Sequence, residues 1–265
     1  MVTAEQQSFT VVQISDIHLG LEPGPLREGL PDSDAQLEAV LLDVRRRHRS
    51  ADLVLVTGDL ADDPKAPDYQ RMIDHLSGLT SPIVALAGNH DDHGAARETF
   101  LRSGHGFDGE QVLGDWLVVG LNSCWPGHIE GLVEPGELQR LEESIARHPG
   151  HWVLVAVHHP VVLIGSRWLD ELTLTNGDQL LATMARHPNV RACVFGHIHQ
   201  AYDEMHGPIR LLACPSTLMQ FLPASVDYTL DPVESGYRVL QLHPDGSLET
   251  EVRRVPGTLV RGLRG

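Results

Sequence analysis

Between residues 9 and 199, five short apolar runs each end in a cluster of polar side chains. The runs are Phe9–Ser15, Asp52–Thr57, Ile83–Ala87, Trp152–Val157 and Val190–Phe195, and each is short, apolar and rich in β-branched residues. Runs of that length and composition read as buried strands. They finish in Asp16-Ile17-His18, Gly58-Asp59, Gly88-Asn89-His90-Asp91, His158-His159 and Gly196-His197-Ile198-His199. Strands that all finish this way demand one shared rim, because ligands of α/β sheets bind at the carboxyl ends of the strands.

Helical patterns separate the strands. Ser33 or Asp34 is placed to cap a helix reaching about His48, with Leu37, Val40, Leu41 and Val44 on one face. Further helices are expected over Asp68–Ser77, from Gly94 through Leu101, from Pro135 at the first helical position to about Arg147, and over Gly177–Arg186. Gly114-Asp115 marks a hairpin turn inside Val112–Asn122. After Phe195 the pattern changes to strands without helices, at Ile209–Cys214, Gly236–Leu242 and Leu248–Arg253. The expectation is an α/β fold of two sheets with helices outside, forming one domain over residues 1–256 and followed by a loose tail, 257–265.

The clusters carry a definite chemistry. Residues i and i+2 of an extended chain point the same way, so Asp16 and His18 can grip one cation with Ile17 turned inward. His197 and His199 can converge around Ile198 in the same manner. Gly58, Gly88 and Gly196 precede candidate ligands, where unusual backbone angles or close approach are needed. Asp59 stands among apolar residues, where an unpaired carboxylate is costly unless cations share it. The donors are carboxylate, imidazole and one amide, without thiolate, which favours iron, manganese or zinc over calcium.

Composition narrows the partners. A formal net charge of −16 repels polyanions and speaks against nucleic acid or an anionic membrane. Cys124, Cys193 and Cys214 are odd in number and form no metal-binding pair, as expected of a reducing compartment. No secretory pattern or bilayer-length apolar run is visible, so a cytoplasmic protein without membrane partner is expected.

As an ordered set, the clusters resemble the calcineurin-like metallophosphoesterase superfamily, whose signature is D-x-H, G-D, G-N-H-[DE], H and G-H-x-H. All five blocks are intact across residues 16 to 199. A narrower resemblance is to bacterial class III cyclic nucleotide phosphodiesterases acting on 3′,5′-cyclic AMP. It rests on Gly88-Asn89-His90-Asp91-Asp92, His158-His159-Pro160, Trp168-Leu169-Asp170 with Asn176, Gly196-His197-Ile198-His199-Gln200, Cys214-Pro215-Ser216-Thr217 and Gln220-Phe221, and extends to about Arg253.

The resemblance implies a four-layer αββα sandwich and two divalent ions, iron or manganese first and zinc as a further candidate. It implies Asp16, His18, Asp59 and His199 on the first ion and Asp59, Asn89, His158 and His197 on the second. His90 would be catalytic rather than ligating. His18, Asp59, Asn89, His90 and His199 would also meet the substrate phosphate. Two such cations lower the pKa of a shared water, so that hydroxide attacks phosphorus, with His90 protonating the leaving oxygen.

Several members are homodimers. The alternatives on the same site are a broader phosphodiesterase acting on glycerophosphodiesters or 2′,3′-cyclic nucleotides, a phosphomonoesterase, and a binding module without catalysis. The Pro- and Gly-rich stretch Leu21–Pro31 reads as a loop that shapes the pocket or simply covers surface. Trp168, Asp170 and Asn176 are candidates to meet a base, and Ser216 and Thr217 read as a turn near the rim.

Overall fold

The computed structural model describes residues 7–21, 32–62 and 67–258. Parallel strands β1 (Phe9–Ile14), β2 (Leu53–Thr57), β3 (Ile83–Leu86) and the short β4 (Gly106–Phe107) alternate with helices α1 (Ser33–Arg47), α2 (Pro67–Leu76) and α3 (His93–Arg102). The hairpin β5 (Glu110–Leu113) and β6 (Trp116–Gly120) turns at Gly114-Asp115 and opens a second sheet. That sheet continues through α4 (Pro135–Arg147), β7 (Trp152–Ala156), α5 (Arg167–Asp170), α6 (Gly177–Ala185) and β8 (Val190–Phe195). The last third is β9 (Tyr202–His206), β10 (Ile209–Ala213), the small pair β11 (Gln220–Phe221) and β12 (Leu230–Asp231), then β13 (Gly236–Leu242) and β14 (Leu248–Arg254).

Two six-stranded sheets result, ordered β14-β13-β1-β2-β3-β4 and β5-β6-β7-β8-β10-β9. Both are mixed: β13 returns antiparallel to β1, and β9 antiparallel to β10. The period-two alternation of the strands makes four layers. Leu53 and Leu55 of β2 meet Leu154 and Ala156 of β7 in a core between the sheets. Val54 and Val56 point the other way, with Leu37, Val40 and Leu41 of α1. Val153 and Val155 likewise face Leu141 of α4 and Leu180 of α6. Central strands buried on both faces read as unbroken apolar runs for this reason. The αββα sandwich is as expected.

Three details differ. Helix α1 is capped by Asp32, whose side chain accepts from the Ala35 N–H at 3.0 Å, so the cap lies one residue before Ser33 and two before Asp34. The short elements β4, α5, β9, β11 and β12 were not expected. Of the stretch Leu21–Pro31, only Leu21 lies among the described residues; of the tail, Gly257 and Thr258 do. Thr258 is buried, and its hydroxyl accepts from the Ser235 N–H at 2.9 Å. Among the described residues, no helix is long and apolar enough to cross a membrane.

Candidate metal centre

The carboxyl ends of β1, β2 and β3 from one sheet and of β7 and β8 from the other meet at a single rim. The backbone there is unusual. Asp16, His18, Asp59, His197 and His199 all have φ between 50° and 67°, the left-handed region that side chains rarely adopt. Such strain persists only where the surroundings over-determine it, and it concentrates at functional sites. It also corrects one expectation: Asp16 and His18 do not converge along an extended chain. They converge through left-handed residues on either side of the fully buried Ile17, and His197 and His199 do the same around the fully buried Ile198. Hydrogen bonds from Asp16 N to Gly58 O at 3.0 Å and from Ile17 N and His18 N to Asp59 O at 2.8 and 2.9 Å lock the two loops together.

The glycines serve mainly close approach. A Cβ on Gly88 would lie 2.1 Å from Asp59 Oδ1, and one on Gly196 would lie 2.1 Å from Ser15 Oγ. Only Gly58, at φ +94°, also needs its conformational freedom.

Two donor sets share Asp59. In the first, His18 Nε2 lies 3.3 Å from His199 Nε2 and 3.5 Å from Asp59 Oδ2, and His199 Nε2 lies 3.5 Å from Asp16 Oδ1. Four ligand atoms of Asp16, His18, Asp59 and His199 fall within 4.8 Å of one another, a spacing able to hold a metal ion. In the second, His158 Nε2 lies 3.4 Å from Asp59 Oδ1 and 3.2 Å from Asn89 Oδ1, and His197 Nδ1 lies 2.9 Å from Asn89 Oδ1. His159 lies close enough to join His158 and His197. Its ring nitrogens are engaged elsewhere, on Ser123 Oγ at 2.8 Å and Ile129 O at 3.0 Å. Asn89 Oδ1, by contrast, faces both His158 and His197.

The donor nitrogens are aimed from behind. His158 Nδ1 donates to Thr57 O at 2.7 Å and His199 Nδ1 to Met219 O at 2.9 Å, which leaves both Nε2 atoms as acceptors at the rim. His18 Nδ1 faces Asp62 Oδ1 at 3.3 Å. Asp62 is the residue that sequence reasoning missed: its main-chain oxygen also accepts from His90 Nδ1 at 3.0 Å. The available signal was its position three residues after Asp59. His18, Asp62 and His90 also lie within ligand range of one another. Here Asp62 faces imidazole nitrogens that act as donors, so this group is an orienting hub.

His90 stands apart from both donor sets. Its ring meets His18 edge-on at 4.8 Å, and its side chain is 30% exposed at the mouth. Asp91 behind it accepts from the N–H groups of Gly88, Leu60 and Ala61, fastening the third cluster to the second. Asp92 caps α3.

Electrostatics explain why the rim fits cations. Burial and the neighbouring Asp59 push the Asp16 carboxyl well above its ordinary value. Burial also opposes ionisation of Asp59, but the imidazoles of His158, His90, His18 and His197 outweigh it and keep that carboxyl charged. Burial pushes His18, His197 and His199 down, toward the neutral form that ligates. Asp16 Oδ2 and His197 Nε2 are buried with no hydrogen-bond partner. Two buried carboxylates gathered with neutral imidazoles in one cluster, with a carboxylate oxygen and a ring nitrogen of that cluster unpaired, form a donor set whose chemistry fits bound cations.

The other expected residues separate. Asp170 accepts from the Ile164 N–H at 2.7 Å, and Asn176 brackets the Val133 backbone at 2.8 and 3.1 Å, so both are structural. Ser216 is buried and donates to Asp16 O at 2.6 Å; Thr217 is buried beside it. Trp168 does reach the site. It lines a cavity of about 240 Å³ whose floor holds His18, Asp59, Asn89, His90, His197 and His199. Burial pushes the thiols of Cys193 and Cys214 up to about 12, leaving them inert.

Residues 9–201 match the calcineurin-like phosphoesterase family. The chain belongs to this family. Among its members, a 3′,5′-cyclic adenosine monophosphate phosphodiesterase CpdA of Pseudomonas aeruginosa is 41% identical over 95% of this chain and 92% of its own. The CpdA of Escherichia coli K12 is 35% identical over 96% and 93%, and a 3′,5′-cyclic-nucleotide phosphodiesterase of Nostoc is 31% identical over 96% of each. The fold is shared with a dimetal phosphatase of Danio rerio, with a TM-score of 0.61 at 15% identity over 93% of this chain and 99% of that one. A purple acid phosphatase of yellow lupin gives 0.68 at 13% identity, over 97% and 53%. In this member of the phosphoesterase family, the two groups around Asp59 and His90 lie on one rim.

Proposed function

We propose that the chain hydrolyses 3′,5′-cyclic AMP to 5′-AMP, using two divalent ions, iron or manganese first and zinc as a further candidate. Asp16, His18, Asp59 and His199 would hold one ion; Asp59, Asn89, His158 and His197 would hold the other. The whole activity sits in one unit, residues 1–256, and its partner is a small-molecule cyclic nucleotide. One observation carries the substrate: relatives bearing that activity in their names align over nearly the full length of this chain, through the loops beyond the donor sets.

Divalent ions bound there supply Lewis acidity and lower the pKa of water. The residues do the rest. Asp59 presents one carboxylate oxygen to each donor set, and the left-handed turns hold Asp16, His18, His197 and His199 without further rearrangement. His90 holds the proton. With Nδ1 donating to Asp62, Nε2 is the nitrogen left to face the cavity. As the oxygen of a water adds to phosphorus and the bond from phosphorus to the 3′-oxygen breaks, His90 gives its proton to that 3′-oxygen, and the phosphate stays on the 5′-oxygen.

The test is turnover of 3′,5′-cyclic AMP by protein reloaded with each metal in turn, in heavy-oxygen water. One label on the phosphate of 5′-AMP is expected. If 3′-AMP is the main product, or 2′,3′-cyclic AMP and glycerophosphodiesters are much better substrates, this assignment is wrong.

A further inference from the structure

The cavity above the donor sets has two unlike walls. Its floor is the ligand cluster; its side is built from Ile129, Trp168, Leu172, Met219, Phe221 and Tyr228. The rings of Trp168, Phe221 and Tyr228 form a closed triangle with centroids 4.9, 5.3 and 5.3 Å apart. Phe221 meanwhile stacks on the His199 imidazole at 4.2 Å and 11°, so the triangle joins directly to the first donor set. Both neighbours meet the Trp168 indole edge-on, at 76° and 65°, so neither lies flat against it. Ile129 and Tyr228 remain 54% and 38% exposed at the mouth, apolar surface of the kind that an apolar occupant covers.

The polar handles of this wall are turned outward or spent. The indole N–H of Trp168 donates to Ser225 Oγ at 3.1 Å, which fixes the ring but takes its donor away from the cavity. The Tyr228 hydroxyl contacts Met219 Sδ at 3.9 Å. Among the described residues lining the cavity outside the ligand cluster and His90, the rest of the wall is hydrocarbon, thioether and phenyl. A planar base can be stacked there, but among the described residues of this wall its hydrogen-bonding edge meets no side chain suited to telling a 6-amino from a 6-oxo purine.

We propose that Trp168, with Phe221 and Tyr228, is the base subsite, and that it grips the nucleobase by stacking without reading its edge, so that adenine and guanine 3′,5′-cyclic nucleotides are handled alike. The inference rests on the cyclic nucleotide reading above and adds to it a site and a specificity. Stacking is indifferent to base identity because every base has a π-face. Selection for the cyclic phosphate is left to the donor sets and His90.

The test compares kcat/KM of the metal-loaded enzyme for 3′,5′-cyclic AMP, 3′,5′-cyclic GMP and base-free ribose 3′,5′-cyclic phosphate. The two purine nucleotides are expected within about fivefold of each other, since no hydrogen bond separates them. In Trp168→Ala, the ratio of cyclic AMP to the base-free substrate should fall about five- to 150-fold, the usual worth of one base stacked on an aromatic ring. Because the ratio is internal to each variant, a loss of folded or loaded protein cancels. Trp168→Phe, which keeps an aromatic face, should recover most of the ratio. Fluorescence quenching by 5′-AMP and by 5′-GMP should be alike in the wild type and reduced alike in Trp168→Phe.

A purine preference above about fivefold, a Trp168→Ala ratio within about fivefold of wild type, or equal losses in Ala and Phe variants would overturn the base subsite while leaving the cyclic nucleotide reading intact. Loaded enzyme that turns over no 3′,5′-cyclic nucleotide would overturn that reading, and the subsite with it.

Discussion

The donor set around Asp16 and the one around Asn89 share Asp59 but differ in charge and in exposure. The first combines two carboxylates with His18 and His199, all of them at most 3% exposed. The second has only the shared carboxylate, joined by His158, His197 and a neutral amide, and Asn89 is half-buried beside the mouth. Opposite charge held in a buried site binds a cation more strongly than a neutral dipole near water. The difference teaches a division of labour. On the proposed assignment, the first set would retain its ion more tightly, and the second would leave more uncompensated positive charge for an anionic substrate.

The strongest way to break this comparison is Asp59→Ala. It removes the one group common to both sets, so both ions should be lost and turnover should fall to background. Elemental analysis with a phosphodiester assay checks it. Retention of one tightly held ion in the variant would show that the sets do not share Asp59.

Asn89→Ala separates the sets. The first ion should stay at wild-type occupancy, while the second falls and returns only at raised metal concentration, with activity following the second. Isothermal titration of the variant should lose its weaker phase and keep its stronger one. Loss of the stronger phase would reverse the proposed order of affinities.

His90→Ala should leave both occupancies alone. Its ring belongs to neither donor set, so kcat should fall by roughly 10²-fold while metal content holds. A nitrophenyl ester, whose leaving group needs no proton, should lose much less. Equal losses for good and poor leaving groups would remove the acid role.

Much of this was legible because ligands that follow buried parallel strands leave a regular trace. An apolar run, a glycine and then an acid, amide or histidine recur at Gly58-Asp59, Gly88-Asn89 and Gly196-His197. The left-handed backbone at Asp16 and His18 leaves no trace, since the spacing D-x-H fits an extended chain equally well. Asp62 stayed hidden because its role depends on two imidazoles brought from residues 18 and 90. The aromatic wall depends on α5, β11 and β12, whose few residues are too short for any periodicity. Trp168 could be named as a candidate, but Asp170 and Asn176 looked equivalent until their side chains were seen to bind Ile164 and Val133.

The smallest effect concerns how the second set is held. Asn89 and His90 sit in the turn just before α3, and the first residue of that helix, His93, is bonded through Nε2 to Asp108 Oδ2. The bond to Asp108 raises the His93 pKa against the opposing effect of burial. A raised folded-state pKa stabilises the fold fully below the unfolded value of 6.5, and the gain is lost as pH climbs through the folded one. With His93 about a third exposed, solvent screens the pair, so its worth is about 0.5–1 kcal/mol. Asp108→Asn isolates the charge, because Asn adopts the φ of 46° found at Asp108 as readily as Asp does. The difference in unfolding free energy between wild type and Asp108→Asn should be largest near pH 5.5 to 6 and shrink toward pH 9, a comparison in which shared metal effects cancel. Second-set affinity should weaken slightly in step, while the first set is untouched. A stability difference that stays constant across that range would mean the pair is not acting through the charge on His93.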